Sequence, residues 1–144
     1  RLVEGLRKVY RDKAPAIHVR LTEGIRFRGD TGDFLELAGN LLDNACKWCE
    51  RRVRISVVPS VGARAIASGM VLTVSDDGPG IPEDAANALL QRGMRLDEST
   101  PGHGIGLAVV KDIARSYGGR LSIQKSELGG AEIMVSIPPL SAAS

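Results

Sequence analysis

The chain has 144 residues, 43% apolar and 25% charged, with a formal net charge of +2. That is the size and balance of one ordinary globular domain with a sizeable core, and the small charge gives no footing for a nucleic-acid or membrane-surface role. No apolar run approaches the ~20 residues of a membrane span. Nothing at the start reads as a secretory signal; the chain opens Arg1-Leu2-Val3-Glu4 without Met, as expected of a piece cut from a longer polypeptide.

In chain order, residues 2–12 predict a helix with Leu2, Leu6, Val9 and Tyr10 on one face. Residues 16–22 alternate, with Ile17, Val19 and Leu21 on one side and His18, Arg20 and Thr22 on the other, which predicts a half-buried strand. "TEGIRFRGDTGD" holds a short strand and then a cap, Thr31 or Asp33, for a long helix over about 33–50. Strands follow at about 53–59 and 70–76, joined by a Gly/Ala/Ser loop. "DDGPGIPEDA" predicts a turn and a short helix near 83–90, and 91–104 read as a mobile loop. A helix over about 105–117 stops at Gly118-Gly119. Two strands, about 120–126 and 131–137, form a hairpin around Gly129-Gly130, and a tail over 138–144 is expected to fray. This order predicts an α+β fold, a two-layer sandwich with about three helices on one face of a mixed, largely antiparallel sheet. One domain spans 1–144.

Cys46 and Cys49 of "CKWC" fall on the apolar side of the long helix and are expected to be buried and reduced. A zinc site would need two further ligands, and the histidines, His18 and His103, lie in other segments.

Two glycine segments and one helix face point to chemistry. "PGHGIGLAVV" (101–110) fits neither common phosphate loop. The third glycine of a dinucleotide fingerprint would fall on Leu107 or Val109, and G-x-x-x-x-G-K-[ST] occurs nowhere. What survives is a glycine turn at a helix N-terminus, where free N–H groups and the helix dipole favour an anion. A flexible turn with no ligand remains open on this segment alone. In "SDDGPGIP" (75–82), Asp76 closes a strand and Gly78 and Gly80 follow. A carboxylate there can accept from the exocyclic amine of adenine; the alternative is an ordinary Asp-Gly turn. The helix "DFLELAGNLLDNACKWC" carries an apolar stripe of Phe34, Leu37, Ala38, Leu41, Leu42 and Ala45. Glu36, Asn40, Asp43, Asn44 and Lys47 share the opposite face. Asparagines are poor helix formers, and their amide oxygens suit Mg²⁺. Lys47 can neutralise phosphate, and Trp48, at the stripe's margin, can stack on a base.

"NLLDNACK", "DDGPG" and "GHGIGL", in this order, resemble the N box and two glycine boxes of the ATP-binding catalytic domain of sensor histidine kinases. "NLLDNACKWC" and "RGMRLDESTPGHGIGLAVV" look most like the PhoQ-type branch of that family. The resemblance covers nearly the whole chain and implies the Bergerat α/β sandwich, with a flexible ATP lid over roughly 82–104. It implies Mg²⁺ as cofactor and Asn40 as its ligand, and phosphate or ribose contacts from Asn44 and Lys47. Trp48 matches an aromatic position beside adenine, and Asp76 the adenine-reading aspartate, with Gly78, Gly80 and Ile81 shaping that wall. Gly102, His103, Gly104, Ile105, Gly106 and Leu107 span the turn that holds phosphate. Arg92 and Arg95 resemble lid residues reaching the phosphates, and Glu36 and Lys47 take catalytic positions, Glu36 that of a general base in related ATPases. The sequence departs from the family where Leu89-Leu90 replace a lid phenylalanine and where His103 replaces a glutamine.

The implied reaction is transfer of the ATP γ-phosphoryl group to a histidine. Neither His18, in a strand, nor His103, in the glycine turn, looks like the acceptor. The resemblance therefore implies an acceptor histidine on an upstream dimerisation domain of the same protein, and a response regulator as the next acceptor. It implies a cytoplasmic domain, monomeric as a fragment, of a homodimeric sensor in the bacterial inner membrane. The alternatives within the fold are a conformational ATPase of the gyrase, Hsp90 or MutL type and an anti-sigma-factor-type serine kinase; a third reading is a non-enzymatic nucleotide-binding regulator. The conformational ATPases need a following domain that donates a lysine, and only seven residues follow the last predicted strand.

Overall fold

The computed structural model describes residues 2–11, 14–21, 30–60, 65–67, 69–92 and 104–141. The elements are α1 (Leu2–Val9), β1 (Ala16–Leu21), α2 (Thr31–Trp48), β2 (Arg52–Ser60), β3 (Ala65–Ala67), β4 (Gly69–Asp76), α3 (Glu83–Arg92), α4 (Gly104–Ser116), β5 (Arg120–Lys125), β6 (Ala131–Ile137) and β7 (Leu140–Ser141). Five strands form one sheet in the order β1-β2-β4-β6-β5. β1 runs parallel to β2 and the other neighbours are antiparallel, with Ile55 opposite Val74 and Val74 opposite Ile133. This is the mixed, mainly antiparallel sheet the strand pattern predicts.

Alternation sets the layers. Ala131, Ile133, Val135 and Ile137 of β6 are buried while the residues between them are half-buried. Met70, Leu72 and Val74 do the same on β4. Against this face α2 brings Leu37, Leu41, Leu42 and Ala45, and α4 brings Leu107, Val110 and Ala114, all at 2% exposure or less. Each fully buried leucine or valine contributes roughly 1.5–3 kcal/mol, so α2 and α4 are fixed to the sheet by their apolar stripes. The core cluster reaches from Leu6 in α1 to Ile137 in β6.

The four helices read in chain order all form among the described residues, and several boundaries move. α2 starts one turn's edge earlier than Thr31 or Asp33 as cap would give: Asp30 is the N-cap, its side chain accepting from Gly32 N at 2.8 Å. The N-cap preference for Ser, Thr, Asp and Asn covers Asp30 as well as Thr31 and Asp33, so residue type alone does not choose among them. α1 ends at Val9, which is 73% exposed rather than on the buried face. On β1 only Ile17 is buried; Val19 and Leu21 are 48% and 65% exposed because β1 is an edge strand. The Gly/Ala/Ser loop and the tail are not wholly irregular, since Ala65–Ala67 and Leu140–Ser141 pair as a second, two-stranded sheet. The short strand expected within 22–30 falls outside the described residues, as do residues 93–103 of the expected lid; the lid's first part is α3. α4 ends as expected, with Gly118 at φ +73° and Gly119 N donating to Ala114 O at 2.7 Å.

Candidate functional site

α2 is the spine of the site, and both ends are tied down. At its start, the backbone N–H of Asp30 donates to the Tyr117 hydroxyl oxygen at 3.0 Å, and that hydroxyl donates to Asp33 Oδ2 at 2.7 Å. The hydrogen bond to the Asp33 carboxylate raises the Tyr117 pKa. Tyr117 follows the last turn of α4, so α2 and α4 lie antiparallel and the N-terminus of α4 is carried back toward the middle of α2. There the fit is close: a Cβ at Gly106 would lie 3.5 Å from Asn40 Oδ1. The first turn of α4 has no acidic residue to occupy its free N–H groups.

The polar face of α2 presents two amide oxygens. Asn40 Nδ2 donates to Glu36 O at 2.8 Å, which leaves Oδ1 turned toward Gly106. Asn44, which its helical position groups with the polar face, is buried at 5% exposure. Its Oδ1 is buried and has no hydrogen-bond partner among the described residues. An orphaned buried acceptor costs roughly 1–3 kcal/mol. Glu36, Asp43 and Lys47 are exposed and Trp48 is half-buried. Asp43 is held from just after α1: the Tyr10 hydroxyl donates to Asp43 Oδ1 at 2.7 Å. Burial first, then the Asp43 carboxylate, pushes the Tyr10 pKa far up.

At the C-terminal end of α2 stands the second glycine segment. Asp76 ends β4 at 4% exposure. Its Oδ1 accepts from Gly78 N at 2.9 Å and from Ala131 N at 3.2 Å, and its carbonyl accepts from Gly130 N at 3.1 Å. These backbone N–H groups orient the carboxylate. Two glycines make this possible. A Cβ at Gly130 would sit 2.1 Å from Asp76 Oδ1, and one at Gly78 would sit 2.1 Å from Trp48 O. Gly80 adopts φ +81°, and the turn it makes lies against Gly130.

Asp77 has a different task. Its carboxylate accepts from the backbone N–H groups of Glu50, Arg51 and Arg52 at 2.9–3.1 Å. Burial would raise its pKa, and these N–H groups outweigh burial, so the pKa is lowered. Asp77 therefore stitches the α2–β2 connection to the end of β4.

α2 thus touches both glycine segments, with Asn40 at the α4 turn and Trp48 at the β4 loop. Of the predicted residues, Gly104 and Ile105 open α4, Ile81 packs against the core, and Leu107 is buried within it at 2% exposure, where it anchors the turn. Arg92 is the last residue of α3. Arg95, Gly102 and His103 lie outside the described residues. Sequence reasoning missed Gly130 and Ala131, which hold Asp76 from the neighbouring strand, because a Gly-Gly pair between two strands reads as a hairpin turn. It also assigned nothing to Asp77, whose only signal is its place after Asp76. A cavity of about 490 Å³ borders Gly80 and Ile81 on the side of α3 and β5 and includes no residue of α2 or α4. The predicted ligand face lies on the α2 side of that loop instead.

Known proteins share this architecture. Residues 29–141 match the family described as histidine kinase-, DNA gyrase B-, and HSP90-like ATPases. The chain belongs to that family. A histidine kinase-like ATPase domain implies ATP binding, and the N box, β4 loop and α4 turn lie within the matched span. The chain is 51% identical over 116 residues to the sensor protein kinase CarS of Pseudomonas aeruginosa, covering 80% of this chain and 24% of that protein. It is 41% identical over 134 residues to the sensor protein PhoQ of Escherichia coli K12, covering 93% and 26%. The chain therefore spans about a quarter of the length of these curated relatives. Among solved structures, the mycobacterial sensor histidine kinase MprB superposes with a TM-score of 0.72 at 27% identity, covering 97% of this chain and 92% of that one. The α/β sandwich expected from the three boxes is the fold observed.

Proposed function

We propose that this domain binds ATP with Mg²⁺ and delivers the γ-phosphoryl group to a histidine on another domain of a two-component sensor kinase. The observation that supports the reading is the buried Asn44 Oδ1, without a hydrogen-bond partner among the described residues, one helical turn from Asn40, whose Oδ1 faces Gly106 in the first turn of α4. Hard amide oxygens beside a helix N-terminus suit Mg²⁺ and phosphate together. Among the described residues no cluster of His, Cys, Asp or Glu could hold a metal. That agrees with a magnesium ion held through one or two protein oxygens, phosphate and water. When bound, Mg²⁺ would neutralise charge on the phosphates.

The chain's own residues then divide the work. Asp76, aimed by Gly78 N and Ala131 N, accepts from the adenine amine, with Gly78, Gly80 and Ile81 as the wall. Trp48 stacks beside the base. Asn40 is the metal ligand, and Asn44 and Lys47 hold phosphate or ribose. The N–H groups of Gly104, Ile105 and Gly106 hold phosphate oxygens, with Gly102 and His103 leading into that turn and Arg92 and Arg95 closing from the lid. In the transfer, the bond from the γ-phosphorus to the bridging oxygen breaks, ADP leaves with that oxygen, and a new P–N bond forms to imidazole. Positioning and charge neutralisation supply most of the catalysis, and an exposed Glu36 stands as the base. The acceptor histidine sits on an upstream dimerisation domain, and a response regulator receives the group next. The 144-residue chain would be a monomeric domain on the cytoplasmic side of a homodimeric inner-membrane sensor.

The test mixes the chain with labelled ATP and the upstream histidine-bearing segment of its parent protein. Acid-labile, base-stable phosphate on that segment is expected, and none on this chain alone. Phosphate on serine, or ATP hydrolysis with no phosphoprotein, would favour the other users of the fold.

A further inference from the structure

The face of the sheet away from the helices carries a basic cleft that nucleotide binding does not use. Residues of β1 and β2 that alternate with the buried set point to this face. His18 lies directly opposite Arg54, Arg20 opposite Ser56, and Ala16 opposite Arg52. His18, Arg20, Arg52 and Arg54, with Leu128 from the β5–β6 turn, line a cleft of about 290 Å³. Arg20 is exposed, and the Arg52 and Arg54 side chains are 54% and 24% exposed.

Carboxylates on this face are already engaged. Asp77 lies 4.0 Å from Arg52 but is held by three backbone N–H groups. Glu127 lies 3.6 Å from Arg54 and is itself 84% exposed, a surface pair that contributes little. Glu132, two strands away, accepts from Ser75 Oγ and Gln124 Nε2. Among the described residues Arg20 makes no ion pair. Charged side chains on an edge strand such as β1 guard against stray pairing. That explains Arg20 but not Arg54, which lies opposite His18 on the inner strand β2.

We propose that this cleft docks an extended, acidic segment of a partner protein. Residues i and i+2 of a strand lie about 6.6–6.8 Å apart. The pairs His18/Arg20 and Arg52/Arg54 share that spacing, as do alternate carboxylates of an extended peptide. Guanidinium groups take carboxylates in bidentate fashion, which favours arginine here.

The experiment uses this 144-residue chain and a fluorescein-labelled peptide of alternating Glu and Ser, read by anisotropy. Saturable binding is expected, weakening severalfold between roughly 50 and 200 mM salt. Arg20→Glu, at an exposed position, is expected to weaken it severalfold, and Arg20→Glu with Arg54→Glu by about tenfold or more. Both variants should bind a fluorescent ATP analogue as the parent does, which shows them folded and separates this cleft from the nucleotide site. Unchanged peptide affinity in the double variant would overturn the proposal. So would equal binding of a peptide with the same glutamates in one block, or tighter binding to phosphatidylglycerol vesicles than to the alternating peptide.

Discussion

Asn44→Leu makes the sharpest test of the nucleotide site, because it should separate stability from binding in opposite directions. The two side chains have similar branching, and the position is 5% exposed with Oδ1 unsatisfied. Removing that orphan recovers roughly 1–3 kcal/mol. Leucine adds about 0.5 kcal/mol of helix propensity, while imperfect fit takes back about 1 kcal/mol or more. The net expectation is a free domain more stable by about 1–2 kcal/mol, melting roughly 3–6 °C higher by circular dichroism. With Mg-ATP at a hundred times its Kd, the parent gains about 2.7 kcal/mol by linkage and the variant gains none. The melting order should therefore invert when nucleotide is added. A variant that melts below the parent without nucleotide, or that shows the same nucleotide shift, would refute the claim that the amide is kept for a ligand.

Four further outcomes are expected. Asp76→Ala should abolish adenine-nucleotide binding by calorimetry while the circular dichroism spectrum stays native; it also leaves Gly78 N and Ala131 N without their carboxylate, so stability should fall by roughly 1–3 kcal/mol. Asn40→Ala should make nucleotide affinity insensitive to magnesium, checked by titrations with and without the metal. Gly130→Ala forces a methyl group to 2.1 Å from Asp76 Oδ1 and should destabilise the fold by about 3 kcal/mol or more in chemical denaturation. Asp77 has a lowered pKa, so the stability its charge provides is present above the ordinary aspartate value of 3.8 and is lost as pH falls through the folded value; Asp77→Asn should be destabilised at pH 7 and converge with the parent only below pH 3.8, followed by urea unfolding across pH.

Most of the sandwich was legible from periodicity. The stripe of Leu37, Leu41, Leu42 and Ala45 names the buried face of α2, and the alternation of Ala131, Ile133, Val135 and Ile137 names that of β6. Periodicity reports which residues share a face, not what covers it. Val19 and Leu21 share the face of Ile17 yet stay exposed at the sheet's edge, and Asn44 shares the face of Lys47 yet is buried. β3 and β7 escaped notice because strands of three and two residues are too short to show a period. In the site, residue chemistry marked Asn40, Asn44 and Asp76. The groups that aim Asp76 are backbone N–H groups of Gly78 and Ala131, which every sequence possesses and no motif can advertise.

That construction bears on how the domain can change over time. Every single-residue replacement of glycine adds at least a Cβ, and at Gly78 and Gly130 that atom lands 2.1 Å from Trp48 O or from the Asp76 carboxylate. No graded series of alternatives exists at either position. Ordinary pockets drift by exchanging one side chain for a slightly larger or smaller one. Here the backbone around Asp76 can be lost in one mutational step but not retuned, so under the proposed role of Asp76 an altered base preference would arise at Asp76 itself or from neighbouring side chains such as Ile81 and those on α2.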